Sequence, residues 1–210
     1  MSALEKPIII DEHAARLLME KGIDVGIKSI GTRFTPSAEH YILTDEFETV
    51  TDYGHKPPFA TKMDLKEGAM LLSEWIDPDG SRPPASFSYK NENGNVFLVL
   101  AMDAFTCSDE IYKNYSRQKQ IFDFLSDSGV ILPAKCFGNP DLYVICKQNE
   151  DTLAVGLFNC FADSISNFKV ELPSEYKSAE FCRATGKLFG NELQIDHLGA
   201  FDWCYIVLKK

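Results

Sequence analysis

Apolar and polar positions follow two different periods along this 210-residue chain, and the change comes near residue 140. The run "PIII" (7–10) is short and apolar, and a helix pattern follows at once. Asp11 can cap that helix, Glu12 suits its positive first turn, Lys21 its last turn, and Gly22 can close it with a positive φ. Ala14, Leu17 and Leu18 share a stripe that a sheet or other helices must cover. An uncovered stripe predicts one of two outcomes: a homo-oligomer through residues 7–22, or a rearranged sheet in which the hairpin 85–102 fills the gap.

Further along, "GAMLLSEWI" (68–76) reads as a strand and "DPDGSRPP" as the turn after it. "ASFSYK" and "NVFLVLAMD" flank Asn93-Gly94, a strong hairpin signal. Val96 to Met102 is apolar without alternation, as expected of a strand covered on both faces. A second helix is predicted from a Ser108 cap, with Asp109 and Glu110 in its first turn, Ile121, Phe122 and Leu125 on one face, and Gly129 as its stop. From Asp141 the period becomes two: Leu142, Val144 and Cys146 alternate with Tyr143 and Ile145. The last strand sets Phe201, Trp203, Tyr205 and Val207 against Cys204, Ile206 and Leu208. The expectation is an α/β unit over 1–139, a partial flavodoxin-like sheet with few helices, followed by a small antiparallel β-sandwich over 140–210.

Composition narrows the function. Hydrophobic residues are 45% and charged residues 25%, values ordinary for a globular protein. A net charge of −10 disfavours a nucleic-acid partner, which Lys and Arg would have to hold. The densest basic group, Lys113, Arg117 and Lys119, reads as a solvated helix face. No apolar run approaches 18 residues and no N-terminal apolar segment precedes a cleavage site, so neither a membrane span nor a signal peptide is expected, and the expected location is cytoplasmic.

Several stretches share the patterns of a known family. "KPIIIDEHAARLLMEKGIDVGI" resembles a segment inside an amidotransferase-like domain, with its hydrophobic strand, D-x-x-A-A-x-x-L-x-x-x-G and isoleucine-glycine step. "SFSYKNENGNVFLVLAMD" is similar to the hairpin closing that domain. "LAVGLFNCFADS" resembles the N-x-x-x-D hairpin that opens a terminal sandwich, and "LGAFDWCYIVL" its last strand. The family is that of bacterial β-galactosidase-like glycoside hydrolases. The resemblance implies an upstream TIM barrel carrying two catalytic glutamates, then an amidotransferase-like domain, then a small sandwich. No part of this chain matches the barrel, so no catalytic residue carries over. The implied function is a non-catalytic C-terminal portion with a structural or oligomerisation role in carbohydrate metabolism.

Candidate chemistry is sparse, and no residue is assigned as catalytic, cofactor-binding or metal-ligating. A nucleophilic cysteine needs a strained strand-to-helix elbow with glycines around it. Among Cys107, Cys136, Cys146, Cys160, Cys182 and Cys204, only Cys107 leads into a predicted helix, and Cys136, the nucleophile that an alternative amidotransferase-like hydrolase would use, has only Gly138 nearby. None lies in a C-x-x-C pair, and their apolar settings suit reduced structural thiols. His13, His40, His55 and His197 stand too far apart in sequence for a helical metal face. Of these, His55 lies in a Gly- and Pro-rich loop and reads as a plain loop residue. Asp45, Glu46, Glu48, Asp52 and Glu74 could supply a glycosidase carboxylate pair, yet they read as a solvated acidic edge. "DPDG" (77–80) is a turn rather than a calcium loop. Trp75, Trp203 and Tyr205 could stack on sugars in a carbohydrate-binding module, but alternation assigns Trp203 and Tyr205 to the sandwich core. No cofactor is called for.

Overall fold

The structure is a computed structural model and describes residues 7–49, 58–138 and 141–210. The chain divides into two compact units, Met1–Val130 and Ile131–Lys210.

The first unit opens with strand β1 (Ile8–Ile10) and helix α1 (Glu12–Glu20). The helix ends are as the sequence predicts: Asp11 Oδ1 accepts the Ala14 N–H at 2.8 Å, and Gly22 follows with φ +73°. Strands β2 (Ile27–Phe34), β3 (Ala38–Tyr41), β4 (Glu46–Thr49), β5 (Ala60–Leu65), β6 (Met70–Ile76), β7 (Pro84–Lys90) and β8 (Val96–Leu100) come next. Six strands form one sheet in the order β1-β8-β7-β6-β3-β4, while β2 and β5 make a separate ribbon. The β7–β8 hairpin turns through Asn91–Asn95, where the Asn91 side chain accepts the N–H groups of Asn93 and Asn95. Only the β1–β8 pair is parallel among the described strands of the six-stranded sheet. The sheet is therefore mainly antiparallel, with its parallel pair at one edge.

β8 is covered on both faces, and each face has its own core. Phe97, Val99 and Ala101 pack with Ile10, Ala15, Ile27 and Met63, under α1 and the β2–β5 ribbon. Leu98, Leu100 and Met102 pack with Trp75, Ile111 and Phe124, under the second helix. The stripe of α1 is rotated by one residue from Ala14, Leu17 and Leu18. Ala15 is fully buried, Ala14, Leu18 and Met19 pack beside it, and Leu17 stays exposed. The 84–100 hairpin lies directly beside β1, with Ile9 opposite Leu98.

The second helix differs from its expected start. Ser108 caps only a 3₁₀ turn, Asp109–Tyr112. Asn114 then caps helix α2 (Tyr115–Asp127), its Oδ1 accepting the Arg117 N–H at 2.7 Å. Two capping residues six apart split what periodicity joins into one element.

The second unit contains β9 (Leu142–Gln148), β10 (Thr152–Asn159), β11 (Ile165–Glu171), β12 (Ser178–Cys182), β13 (Gly186–Phe189), β14 (Glu192–Leu198) and β15 (Trp203–Lys209). These make an antiparallel sheet β12-β15-β10-β9 and a second one β11-β14-β13. Leu153, Val155 and Leu157 of β10, Cys204, Ile206 and Leu208 of β15, and Phe168, Val170, Leu193 and Ile195 of the other sheet share one core. That is a small β-sandwich.

Candidate functional site

The outer face of the β12-β15-β10-β9 sheet is aromatic. Register sets Trp203, Phe158 and Tyr143 in one row across β15, β10 and β9, and Tyr205, Gly156 and Ile145 in the next. Tyr143 and Ile145 are 67% and 54% exposed, Trp203 and Tyr205 39% and 43%. The expectation that Trp203 and Tyr205 fill the core is therefore wrong; Cys204, Ile206 and Leu208 do. Both alternating sets of β15 are apolar, so its own period cannot choose a face. Its partner decides. β10 offers Leu153, Val155 and Leu157 on one side but only Ala154, Gly156 and Phe158 on the other, and the larger continuous set goes inward.

The Trp203 and Tyr205 rings lie within 11° of parallel, with centroids 6.3 Å apart. The Arg183 guanidinium sits 4.6 Å from the Trp203 ring centroid and donates to Asp202 Oδ1 at 2.8 Å. Arg183 and the Trp203 N–H together hold the Asp202 carboxyl below its ordinary range. Across from Tyr205, the Cys182 thiol pushes the phenol upward. Two residues flanking this row, Arg183 and Phe201, hold φ of +61° and +50°, a costly region for bulky side chains. Asn159 fixes the neighbouring loops. Its Nδ2 donates to the carbonyls of Asp163 (2.7 Å) and Gly199 (2.8 Å), its Oδ1 accepts the Phe161 N–H, and its own N–H donates to Asp202 O. The N-x-x-x-D motif thus has a physical meaning: one buried amide ties two loops at the aromatic end of the sheet.

A second concavity belongs to the first unit. A groove of about 730 Å³ runs along α2, with Tyr41, Leu43, Met70, Leu72, Gln120 and Phe124 among its walls. Behind it lies a buried polar network that the sequence conceals. Arg117, expected on a solvated face with Lys113 and Lys119, is fully buried and clamps Glu39, at 2.7 and 2.8 Å to its two oxygens. Tyr41 Oη and Ser73 Oγ also donate to Glu39, and Gln120 joins Arg117 to Ser86. Helix period alone placed Arg117 outside, but a buried Glu39 one strand away draws it in. Lys119 does pair along the helix surface, with Asp123.

The acidic residues are engaged one by one. Glu46 accepts from Ser116 Oγ, Asp45 faces His40 Nε2 at 3.0 Å, and Glu74 meets Arg82 at 3.4 Å and His40 Nδ1 at 3.6 Å. Asp52 and His55 lie outside the described residues. Asp77 and Asp79 of "DPDG" bracket Lys62 in a turn. Glu12 is fully buried; burial raises its carboxyl, but Thr61 and Arg33, with Arg16, outweigh that and hold it low. No group of three metal-ligating side chains is found among the described residues. Trp75 is fully buried, with its indole N–H on Ala101 O at 3.3 Å.

The cysteines are free thiols. Burial pushes Cys107 and Cys146 upward and Cys204 up to about 11, the reverse of nucleophile activation. Cys136 packs in the sandwich core beside a bridge from Lys135 to Glu171, not on a strand-to-helix elbow.

No protein-family model matches the chain, and no curated protein matches it. Solved structures do. An α-L-fucosidase isoenzyme 2 from Paenibacillus thiaminolyticus is similar with a TM-score of 0.53 and 11% identity, over 89% of this chain and 34% of that one. A β-galactosidase from Bacillus circulans sp. alkalophilus has a TM-score of 0.44 and 13% identity, over 88% of this chain and 24% of its own. A cold-adapted β-galactosidase from Rahnella sp. R3 has a TM-score of 0.44 and 15% identity, over 89% and 24%. The fucosidase likeness is one of fold. This chain spans about a third of that protein's length and about a quarter of the galactosidases'. No helix among the described residues is long and apolar enough to cross a membrane.

Proposed function

We propose that this chain is a non-catalytic portion of a glycoside-hydrolase-type protein, serving a structural or oligomerisation role beside a TIM barrel. The observation that carries this reading is the order of its two units, a helix-flanked sheet and then a sandwich. The fold likeness to a fucosidase extends over 89% of this chain, and so into both units, while covering 34% of that protein. The β-galactosidase-like motifs of the sequence point the same way. In this reading the first unit is a remnant of an amidotransferase-like domain, and the parallel β1–β8 pair with α1 after β1 is the part that survives.

The carboxylates support it as well. Glycoside hydrolysis needs two that flank a bond, one able to give a proton and the other free to attack or to activate water. Here Glu39 is clamped by Arg117 and Glu12 by Arg33 and Thr61, so both serve the packing of their unit. Purified chain incubated with chromogenic galactosides and fucosides should release no chromophore above a heat-denatured control. Turnover that co-purifies with the protein and saturates with substrate would overturn the proposal.

A further inference from the structure

We infer that the outer face of the sandwich, centred on Trp203, Tyr205, Phe158 and Tyr143, is a binding platform for a neutral glycan chain. The choice of a glycan rests on the glycoside-hydrolase reading above; the existence of a ring-binding platform rests on the face itself.

Three observations converge on it. The face is aromatic rather than aliphatic, and its Trp–Tyr pair is near parallel at a fixed separation. Aromatic rings offer flat apolar surface at little entropic cost, and they stack on the C–H face of a pyranose while their polar tips reach its hydroxyls. The second observation is charge. Arg183 and Asp202, at the Trp203 end, neutralise one another at 2.8 Å. The other charges at outward positions of this face, Lys147, Lys209 and Glu180, are of mixed sign, and with −10 on the whole chain the face does not concentrate the cations that an anionic polymer needs. A neutral partner costs no such pairing, and the Arg183–Asp202 pair still presents donors and acceptors at the rim. The third is preorganisation. Arg183 and Phe201 are held at positive φ, and Asn159 ties both adjacent loops, so the rim is set before a ligand arrives.

The chain has a built-in reporter. It contains two tryptophans, and Trp75 is fully buried in the first unit, so a ligand-dependent change in emission reports Trp203. The full chain would be titrated with a soluble neutral β-1,4-galactan, a neutral β-glucan and polygalacturonate, following fluorescence and mobility in glycan-containing native gels. A neutral glycan should shift the emission and retard the protein. Trp203→Ala should lose that retardation, and Tyr205→Ala should weaken it by about tenfold, in line with the loss of one stacked ring. Phe189→Ala, an exposed ring on the other sheet, should leave it unchanged, and matching far-ultraviolet spectra would show each variant folded. Three results would overturn the inference: no response to either neutral glycan, a response to polygalacturonate alone, or concentration-dependent self-association that Trp203→Ala abolishes. The last would make the face an interface between copies. None of these bears on chromogenic turnover, so the two proposals fail separately.

Discussion

Arg117 and Glu39 show how one residue can overrule a periodic pattern. Both are fully buried, and the pair is satisfied from several sides by Tyr41, Ser73 and Gln120. Removing one partner leaves a charge in the interior, which costs far more than the intact pair contributes. Arg117→Ala should therefore lower unfolding free energy by about 3–5 kcal/mol, read from urea midpoints, whereas an Arg117→Met, Glu39→Leu double variant should recover most of the loss. Glu12 adds a pH dependence. Its folded carboxyl lies below the ordinary value, so it binds its proton less readily than in the unfolded chain. Its stabilisation is present above the unfolded value and disappears as pH falls through the folded one. Urea midpoints measured from about pH 5 down to pH 2 should fall less steeply in Glu12→Gln than in the parent protein.

At the scale of elements, capping and turn chemistry were legible in the sequence where a single local choice sufficed. Asp11 and Gly22 bracket α1, and the Asn-rich loop closes the β7–β8 hairpin. The unbroken apolar run of β8 correctly announced two covered faces. What escaped was anything set by a distant partner. The face of β15 is decided by β10, far earlier in the chain, through the register pairing of Leu157 with Cys204 and Val155 with Ile206. The inward turn of Arg117 is decided by Glu39. Carrying the small outward residues Ala154 and Gly156 across to β15 would have exposed Trp203 and Tyr205 from sequence alone. Asn159 belongs to this scale too. Asn159→Ala removes the buried amide that donates to the Asp163 and Gly199 carbonyls and accepts from Phe161, and should destabilise the sandwich by about 1–3 kcal/mol. Hydrogen exchange should rise first at Phe161 and Phe201, whose N–H groups belong to the loops that Asn159 ties down.

At the scale of the whole molecule, each unit has its own hydrophobic core. Glu39 and Glu12 are each held by buried partners within the first unit. Under the proposed function, sugar cleavage belongs to a barrel and this chain takes a supporting place beside it. The most direct measurement is the intact mass of native material captured with an antibody against the chain from cells that encode it. The proposed function predicts that the chain arrives as part of a longer polypeptide, or tightly bound to one, large enough to include a TIM barrel and bearing glycosidase activity. Recovery of the 210-residue chain alone, without such a partner and without activity in the captured fraction, would contradict it.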